Sequence, residues 1–468
     1  MSGVVPAAGR DTARVVLGAP GAHSGSGDPG DAGGFGGFGG FVLRAHAAGA
    51  LVVQPRMGFS DPAEMRAGLL ATRQAAATTV GTLTLDSYTR VGDRQAARTA
   101  LRAGLRLNGY PIVEHGPETT RLVLDGVQGE DFPIQVRHGS ATPLAIFASL
   151  MESGIDATEG GPVSYCLPYG RVPLAESVRN WTRCCEVFAR LREAGREPHL
   201  ETFGGCMMGQ LCPPSQLVAI SVLEALFFYR YGLRSISVSY AQQTNAGQDR
   251  EAILALRALC AELLPEAAWH VVVYAYMGVY PTTPEGAHEL LARAAELAVA
   301  TGSERLIVKT VAEAHRIPTV AENVAALEFA SAVAAKARAS GLPARAPATA
   351  EDTQTYREAR ALVEAVLNLD PDIGRALLRA FSHGYLDIPY CVHPDNRGRT
   401  RSYIDEEGRL RWAEIGSLPL SHVVRGGRTG RMTSAGLLEA LSYVQRKFDS
   451  ESPELRGELG VLPNIRFS

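Results

Sequence analysis

Short apolar runs alternate with helical stretches over most of this 468-residue sequence, and the repeat strongly constrains the fold. The runs begin about 30 residues apart, which is the length of one βα unit. A long uninterrupted series of such units favours an α/β fold of the (β/α)8 TIM-type barrel over a doubly wound sheet. Nine candidate strands start at Leu51, Gly81, Leu105, Ile134, Gly161, His199, Ser235, His270 and Arg305.

A closed barrel needs eight strands, so one candidate has to be a loop. We interpret the run Gly161–Tyr165 as that loop, because it is bracketed by the Gly-Gly-Pro sequence at 160–162 and by Pro168. The Leu105 run is retained as the third strand, with Asn108 at its end.

The sequence changes character on either side of the repeat. Residues 1–45 are rich in glycine, with a GGFGGFGG run at 33–40, and we expect a flexible segment because glycine loses much backbone entropy on ordering. We predict that the barrel occupies residues 46–345. Residues 346–468, first helical and then rich in turns, are expected to form a C-terminal extension.

Composition argues against several classes of partner and site. A formal net charge of −3 gives no reason to expect nucleic acid or an anionic membrane as a partner. No apolar run is long enough for a membrane span, and the amino terminus lacks a signal pattern, so we expect a cytoplasmic protein. The seven cysteines are scattered without a C-x-x-C pair, so we expect neither disulfides nor a metal site.

Three arginines follow the ends of predicted strands. Arg56 comes after the first strand, Arg90 after the second, and Arg137 ends the run that begins at Ile134. The carboxyl ends of barrel strands meet at one mouth, and guanidinium groups pair with planar oxyanions through two bonds. The pattern therefore predicts a site for a dicarboxylate or a phosphate. The alternative is that each arginine is a rim residue paired with a local acid such as Asp86.

Two further charged positions suggest ligand contacts. Glu159 would suit the ammonium group of an amino acid, although it could equally be a turn residue before Gly160 and Gly161. Lys309 ends a buried-type run and needs an acceptor, which Glu313 could provide four residues later; the pair could instead contact a polar ligand. From the residues alone, we predict a barrel enzyme that binds a small dicarboxylate.

Short motifs in order along the chain resemble the large (epsilon) subunit of glutamate mutase, also called methylaspartate mutase. The similarity runs from about Leu51 into the C-terminal tail. The motifs that carry it are Gln54–Gly58, Leu85–Arg90, Leu107–Pro111, Val136–Gly139, Asp156–Tyr169, Phe203–Cys206, Ser239–Gln243, Ile307–Glu313 and Leu386–Asn396.

The resemblance implies a (β/α) barrel that uses adenosylcobalamin to interconvert L-glutamate and 3-methylaspartate by radical chemistry. It also implies a small cobalamin-binding subunit as partner, in an assembly of two large and two small chains. The cobalamin signature Asp-x-His-x-x-Gly does not occur in this sequence, so we expect cobalt ligation to come from that partner.

The resemblance also implies roles for individual residues. Glu159 is the expected catalytic residue and takes the substrate amino group. The expected substrate-binding residues are Arg56, Arg90, Arg137, His138, Glu159, Tyr165 and Tyr169. The expected cofactor-binding residues are Gly58, Asn108, Pro168, Tyr280, Lys309, Glu313 and Ile317, with Lys309 and Glu313 near the adenosyl ribose. Tyr280 stands where the family pattern leads us to expect phenylalanine.

Two other functions stay open at this point. The same barrel could be a lyase or isomerase that acts on a dicarboxylate by acid–base chemistry and works without cobalamin. The chain could also be a non-catalytic assembly subunit, although all three arginines are present.

Overall fold

The computed structural model describes residues 36–168, 170–207, 211–341, 349–424 and 432–451. Eight parallel strands form one sheet in the order β1-β8-β7-β6-β5-β4-β3-β2. A parallel bridge between Val53 and Thr79 joins the first strand to the segment before the second, so the sheet forms a nearly closed barrel. This confirms the predicted (β/α)8 fold. The strands are β1 Val52–Gln54, β2 Gly81–Thr84, β3 Ile134–Arg137, β4 Ala157–Gly160, β5 His199–Thr202, β6 Ser235–Ala241, β7 Ala268–Tyr274 and β8 Arg305–Ile307.

Helices connect successive strands and surround the barrel, and most begin at a capping residue. Asp61 accepts a hydrogen bond from the Glu64 amide at 2.8 Å, and Pro62 occupies the first helical position. The helices up to the last barrel strand are α1 Gly37–Ala47, α2 Pro62–Gln74, α3 Ser87–Val91, α4 Arg94–Arg102, α5 Ile112–Leu124, α6 Leu144–Glu152, α7 Leu174–Ala189, α8 Pro214–Arg230, α9 Ala246–Leu263 and α10 Pro284–Ala300. Those after it are α11 Val320–Ala339, α12 Gln354–Leu367, α13 Ile373–His383, α14 Ser434–Leu441 and α15 Tyr443–Glu451.

One predicted strand is wrong and one strand was missed. Residues 105–108 form no strand: Leu105 is 61% exposed, and the nearest pairing is an isolated bridge between Tyr110 and Leu85, the residue directly after β2. The missed strand is β4, which lies directly before the predicted loop Gly161–Tyr165. That loop is confirmed. The sequence of β4, Ala-Thr-Glu-Gly, contains no large apolar residue, which is why the apolar pattern did not indicate it.

Polar side chains fill the lower interior of the barrel. Gln54 donates to Thr82 Oγ1 at 2.9 Å and to Gln135 Oε1 at 2.8 Å, and the Arg305 guanidinium bonds to both Gln54 and Glu201. These five side chains are fully buried. A buried polar group is costly unless it is hydrogen-bonded, so this layer depends on its internal partners.

Helix α1 closes the amino-terminal end of the barrel. Phe38 is fully buried, with its ring 5.0 Å from that of His199 and 5.0 Å from the guanidinium carbon of Arg305. The prediction of a flexible segment over 1–45 is thus wrong for residues 37–45, because Phe38 and Val42 bury their side chains against the strand starts. Residues 1–35 lie outside the described residues.

The C-terminal extension packs on the outside of the barrel. Helix α12 packs on α8 and α9, and helix α13 packs on α7 and α8. A small antiparallel sheet of β9 Arg401–Ile404 and β10 Leu410–Glu414 lies beside α9, where Gln248 bonds to Leu410. The predicted boundary at 45/46 falls inside α1, and the boundary at 345/346 stays a prediction. Among the described helices, none has both the length and the apolar character that crossing a membrane requires.

Substituting Gly39→Ala tests whether α1 seals the barrel. A Cβ at Gly39 would clash with Ser235 Oγ and lie 2.9 Å from His199 Nδ1. Glycine to alanine inside a helix normally stabilises by about 0.5–1 kcal/mol, whereas here we expect a loss of about 1–3 kcal/mol in the free energy of unfolding. Denaturant unfolding measures the change.

Gly36→Ala is the matched control, because a Cβ at Gly36 meets nothing within 4 Å. We expect this change at the N-cap position to cost less than about 1 kcal/mol. Equal effects of the two substitutions, or a gain in stability at Gly39, would contradict the packing of α1 against the barrel.

Candidate active site

Buried charged and aromatic side chains converge on Glu159 at the carboxyl-terminal part of the barrel. Arg137, the last residue of β3, places Nη2 at 2.9 Å from Glu159 Oε2. The Tyr274 hydroxyl lies 3.0 Å from the same oxygen, and the Tyr165 hydroxyl bonds to Oε1. Glu159 is 2% exposed and Arg137 is 4% exposed, so the contact between them is largely removed from solvent.

Three nitrogen atoms in this region are buried without a hydrogen-bond partner among the described residues. They are Arg137 Nη1, Arg90 Nε and His138 Nε2. Arg90 lies beside the backbone that follows His138, since a Cβ at Gly139 would be 3.1 Å from Arg90 Cδ. Buried donors are normally satisfied, so this group of unpaired nitrogens favours a ligand that supplies acceptors.

His138 is held in its neutral form. Burial, together with the charges of Arg90 and Arg137, lowers the pKa of His138 to about 3. Its Nδ1 accepts a hydrogen bond from the Ser140 amide at 3.1 Å, so the ring proton resides on Nε2. The ring stacks on Trp181 at 5.8 Å between centroids. His138 therefore offers one neutral donor beside two guanidinium groups.

Local folding, rather than an ion pair, sets the position of Arg90. The buried Asp86 carboxylate caps α3 by accepting from the amides of Tyr88 and Thr89 at 2.9 and 3.0 Å. Asp86 thus caps the helix that carries Arg90. Among the described residues, no carboxylate forms a salt bridge with Arg90.

Arg56 differs from the other two arginines because an acid already pairs with it. Its Nη1 lies 2.7 Å from Glu313 Oε2, and its side chain is 30% exposed. A cavity of about 450 Å³ opens beside this pair. Among the predicted site residues, those that line it are Arg56, Gly58, Arg90, Asn108, Glu313 and Ile317.

Lys309 contacts Glu313, one of the residues that line this cavity, and its side chain is 7% exposed. Its Nζ is 3.8 Å from Glu313 Oε2 and 4.2 Å from the centroid of the Tyr280 ring. Burial lowers the pKa of Lys309 to about 8; Glu313 opposes the shift and Arg56 adds to it. Glu313 is itself held by the Thr310 amide at 3.1 Å, in a short turn that begins directly after Lys309. Glu313 therefore lies against Lys309, as the hypothesis that it provides the acceptor for this lysine predicted.

The remaining predicted residues occupy varied positions. Asn108 is exposed and accepts from the Ser87 amide at 2.9 Å, and Ile317 is 56% exposed. Gly58 packs so closely on β2 that a Cβ would clash with the Thr84 carbonyl. Pro168 is half-buried at the end of the loop after β4, and Tyr169 lies outside the described residues.

The predicted site residues did not include Glu201, Tyr274 or Arg305, yet Tyr274 contacts Glu159 directly and the other two connect to it through Tyr274. Tyr274 bonds to both Glu159 and Glu201, and Arg305 bonds to Glu201. Burial raises the pKa of Glu201, but Arg305 and Arg137 outweigh it and hold the pKa below its usual value. For Glu201 and Arg305, the signal in the sequence was a charged residue inside a short, fully buried strand, β5 and β8 respectively.

The titration of Lys309 tests the electrostatics of the site. The sequence has three lysines, Lys309, Lys336 and Lys447, so NMR of the ¹⁵N-lysine-labelled chain resolves them individually. We expect Lys309 Nζ to titrate with a midpoint of about 8. Glu313→Gln should lower this midpoint further, because the Glu313 carboxylate stabilises the charged amine.

Glu322→Gln is the control, since Glu322 pairs with Arg316 and belongs to the next helix. It should leave the Lys309 midpoint in place. A rise in the Lys309 midpoint in Glu313→Gln would show that the contact between these residues is wrongly described.

Comparisons with known proteins agree with the resemblance. The family model described as Methylaspartate mutase E chain (MutE) matches residues 36–442. The glutamate mutase epsilon subunit of Yersinia enterocolitica is 30% identical over 391 residues, covering 81% of this chain and 80% of that protein. The protein of the same name from Halobacterium salinarum is 30% identical over 416 residues, covering 87% and 84%.

Among solved structures, a truncated 3-deoxy-D-arabino-heptulosonate 7-phosphate synthase from Thermotoga maritima matches with a TM-score of 0.36 and 12% identity. It covers 62% of this chain and 88% of that one. A score this low adds nothing to the fold, which rests on the strand order. The extent of the family match, together with relatives at 30% identity over most of their length, shows that this chain belongs to the methylaspartate mutase E chain family.

Proposed function

We propose that this chain is the large subunit of an adenosylcobalamin-dependent mutase that interconverts L-glutamate and 3-methylaspartate. Its partner is a small cobalamin-binding subunit, in an assembly of two large and two small chains. The observation that carries the proposal is the group of unpaired buried nitrogens on Arg90, Arg137 and His138 beside the Glu159 carboxyl. Family membership supports the same function.

The charges of the site suit an acidic amino acid. Arg137 Nη1 and Arg90 Nε have no partner among the residues described, so they are available to bind substrate carboxylates. Charge-assisted hydrogen bonds of this kind are strong and directional. Glu159 is the group that takes the substrate ammonium. Arg56, which lies on the neighbouring cavity, completes the set that holds the second carboxylate. Both ends of the substrate are thereby anchored while its carbon skeleton is rearranged.

The cavity beside Arg56 fits the nucleoside part of the cofactor. Ribose hydroxyls are neutral donors and acceptors. Glu313 and the Thr84 hydroxyl, which has no partner among the described residues, supply complementary groups in the cavity, and Lys309 contacts Glu313. Gly58, Asn108, Pro168, Tyr280 and Ile317 are the other proposed cofactor contacts. Adenosylcobalamin held by these residues would supply the radical chemistry that the rearrangement needs.

The protein's own contribution is positioning and exclusion of water. The rings of Tyr165 and Phe203 pack at 4.8 Å, and those of Phe203 and Tyr274 at 5.6 Å, next to the Glu159 carboxyl. These three side chains are buried. A dry aromatic wall keeps water away from reactive intermediates and holds the reacting fragments in register. It explains why the site needs no side-chain nucleophile.

Exposed apolar side chains near the mouth support docking of a second chain. Val91, Val279 and Ile317 are 75%, 44% and 56% exposed, and they lie on the segments that follow β2, β7 and β8. These segments lie on the carboxyl-terminal face, where the cavity beside Arg56 opens. A cobalamin-binding subunit seated there would cover them and bring the cobalt centre to the cavity.

Reconstitution tests this function. We expect the isolated chain to be inactive and to form 3-methylaspartate from L-glutamate once a cobalamin-binding small subunit and adenosylcobalamin are added. Product is measured by chromatography. Activity of the chain alone without cobalamin would overturn the proposal and favour the acid–base lyase or isomerase. Persistent inactivity of an assembled, cofactor-loaded complex would favour a non-catalytic subunit.

Arg90→Lys sharpens the same assay. Loss of one charge-assisted hydrogen bond costs about 1.5–3 kcal/mol, so we expect kcat/KM to fall by about 10- to 100-fold with unchanged thermal unfolding. Arg375→Lys is the control, because Arg375 is 62% exposed on α13 and pairs with Asp370. Equal activities of the two variants would remove Arg90 from the site.

A further inference from the structure

The Tyr274 hydroxyl lies between two buried carboxyl groups. It is 3.0 Å from Glu159 Oε2, and it forms a shorter hydrogen bond with Glu201 Oε1. Tyr274 and Glu201 are fully buried and Glu159 is 2% exposed. No solvent is therefore available to screen the two carboxyl groups from each other.

Counting protons favours a single ionised carboxyl group beside Tyr274. A phenol hydroxyl has one hydrogen, so Tyr274 can donate to only one of its two neighbours. The second carboxyl would then direct an oxygen lone pair at the phenol oxygen in a buried site. That contact becomes favourable when the second carboxyl carries a proton and donates it to the phenol oxygen.

The surrounding donors identify which carboxyl is ionised. Apart from Tyr274, Glu201 receives hydrogen bonds from Arg305, from Gln135 Nε2 at 3.1 Å and from Ser237 Oγ at 3.1 Å. Its buried charge is thus matched by a buried guanidinium group, and its pKa is held low.

Glu159 is less well supplied with donors to its Oε2. Apart from Tyr274, that oxygen has one polar contact within the described part of the chain, Arg137 Nη2 at 2.9 Å, and burial raises the pKa of the carboxyl. The titratable and charged groups around Glu159 are Arg137 on β3, Tyr165 in the loop after β4, Glu201 on β5, Cys206 after β5 and Tyr274 on β7. The cationic member of this group, Arg137, keeps a nitrogen without a partner among the described residues.

We propose that Glu159 carries a proton in the ligand-free chain and donates it to Tyr274, which in turn donates to Glu201. Glu201 and Arg305 are then positioning residues: they act through Tyr274 and set the charge state of Glu159. A protonated Glu159 releases its proton to water when a substrate ammonium binds beside it. That last step rests on the proposed function, whereas the resting position of the proton does not.

Tyr274→Phe gives opposite results under the two possible hydrogen-bond directions. In the proposed chain, Tyr274 accepts from the Glu159 acid, so its removal takes a partner from the protonated form and lowers the pKa of Glu159. If Tyr274 instead donated to a Glu159 carboxylate, its removal would raise that pKa. The sign of the change therefore decides between them.

Infrared spectroscopy of the full chain without ligand measures the proton directly. A protonated carboxylic acid has a carbonyl band that a carboxylate lacks, and the difference between the native chain and Glu159→Gln assigns that band. The buried acids Glu224 and Asp249, each with a pKa raised to about 7 by burial, also contribute in this region. Subtracting the Glu159→Gln spectrum removes their bands.

At pH 7 we expect the Glu159 band in the native chain. In Tyr274→Phe the titration midpoint of this band should fall by about 1 or more. Tyr240→Phe is the matched control, because Tyr240 is a fully buried barrel tyrosine that donates to Asp249 at 2.8 Å and should leave the Glu159 band unchanged. Absence of a Glu159 band in the native chain, or a higher midpoint in Tyr274→Phe, overturns the proposal.

Glu201→Gln provides a second route if Tyr274→Phe fails to fold, which circular dichroism would show. Removing the neighbouring anion should again lower the midpoint of the Glu159 band, and an unchanged or higher midpoint overturns the proposal. Because these spectra are taken without substrate or cofactor, their outcome is independent of the reconstitution assay. Failure of the mutase function and failure of the proton assignment are thereby distinguished.

Discussion

The buried contact between Arg137 and Glu159 is the one on which the rest of the site depends. Both side chains are almost fully buried, and a buried pair is tolerated only when the remaining polar atoms also find partners. Here they do not, since Arg137 Nη1 has no partner within the described residues. The site therefore has a hydrogen-bond donor available, and an acidic amino acid has carboxylates that would accept from it.

The polar interior of the barrel supports this site from below. Arg305 bonds to Glu201 and Gln54, and the ring of Phe38 covers the guanidinium group at the amino-terminal end. The charges of Arg305 and Glu201 therefore balance each other within this part of the barrel. Through Tyr274, the lower pair also contacts Glu159. The structural core and the candidate active site are consequently one continuous hydrogen-bonded network.

The barrel could be predicted from the sequence because hydrophobic periodicity and βα spacing are local patterns along the chain. The same patterns failed at residues 105–108 and at β4, because burial in the folded barrel decides there whether a strand forms. Leu105 is exposed and forms no strand, whereas Thr158 and Glu159 are buried in β4. The patterns also failed at Phe38, where one aromatic ring outweighs the flexibility of the surrounding glycines.

Strand ends did indicate Arg56, Arg90 and Arg137 correctly as positions near one mouth, although not that Arg56 is already paired with Glu313. Glu201, Arg305 and Tyr274 required the structure, because their connection runs between strands far apart in sequence.

The most direct test of the central claim is a crystal structure of the chain with bound L-glutamate. The account predicts a substrate carboxylate within hydrogen-bond distance of Arg137 Nη1, and the amino group beside Glu159. A ligand that binds elsewhere, with the pair between Arg137 and Glu159 unchanged and Arg137 Nη1 still unpaired, would contradict it.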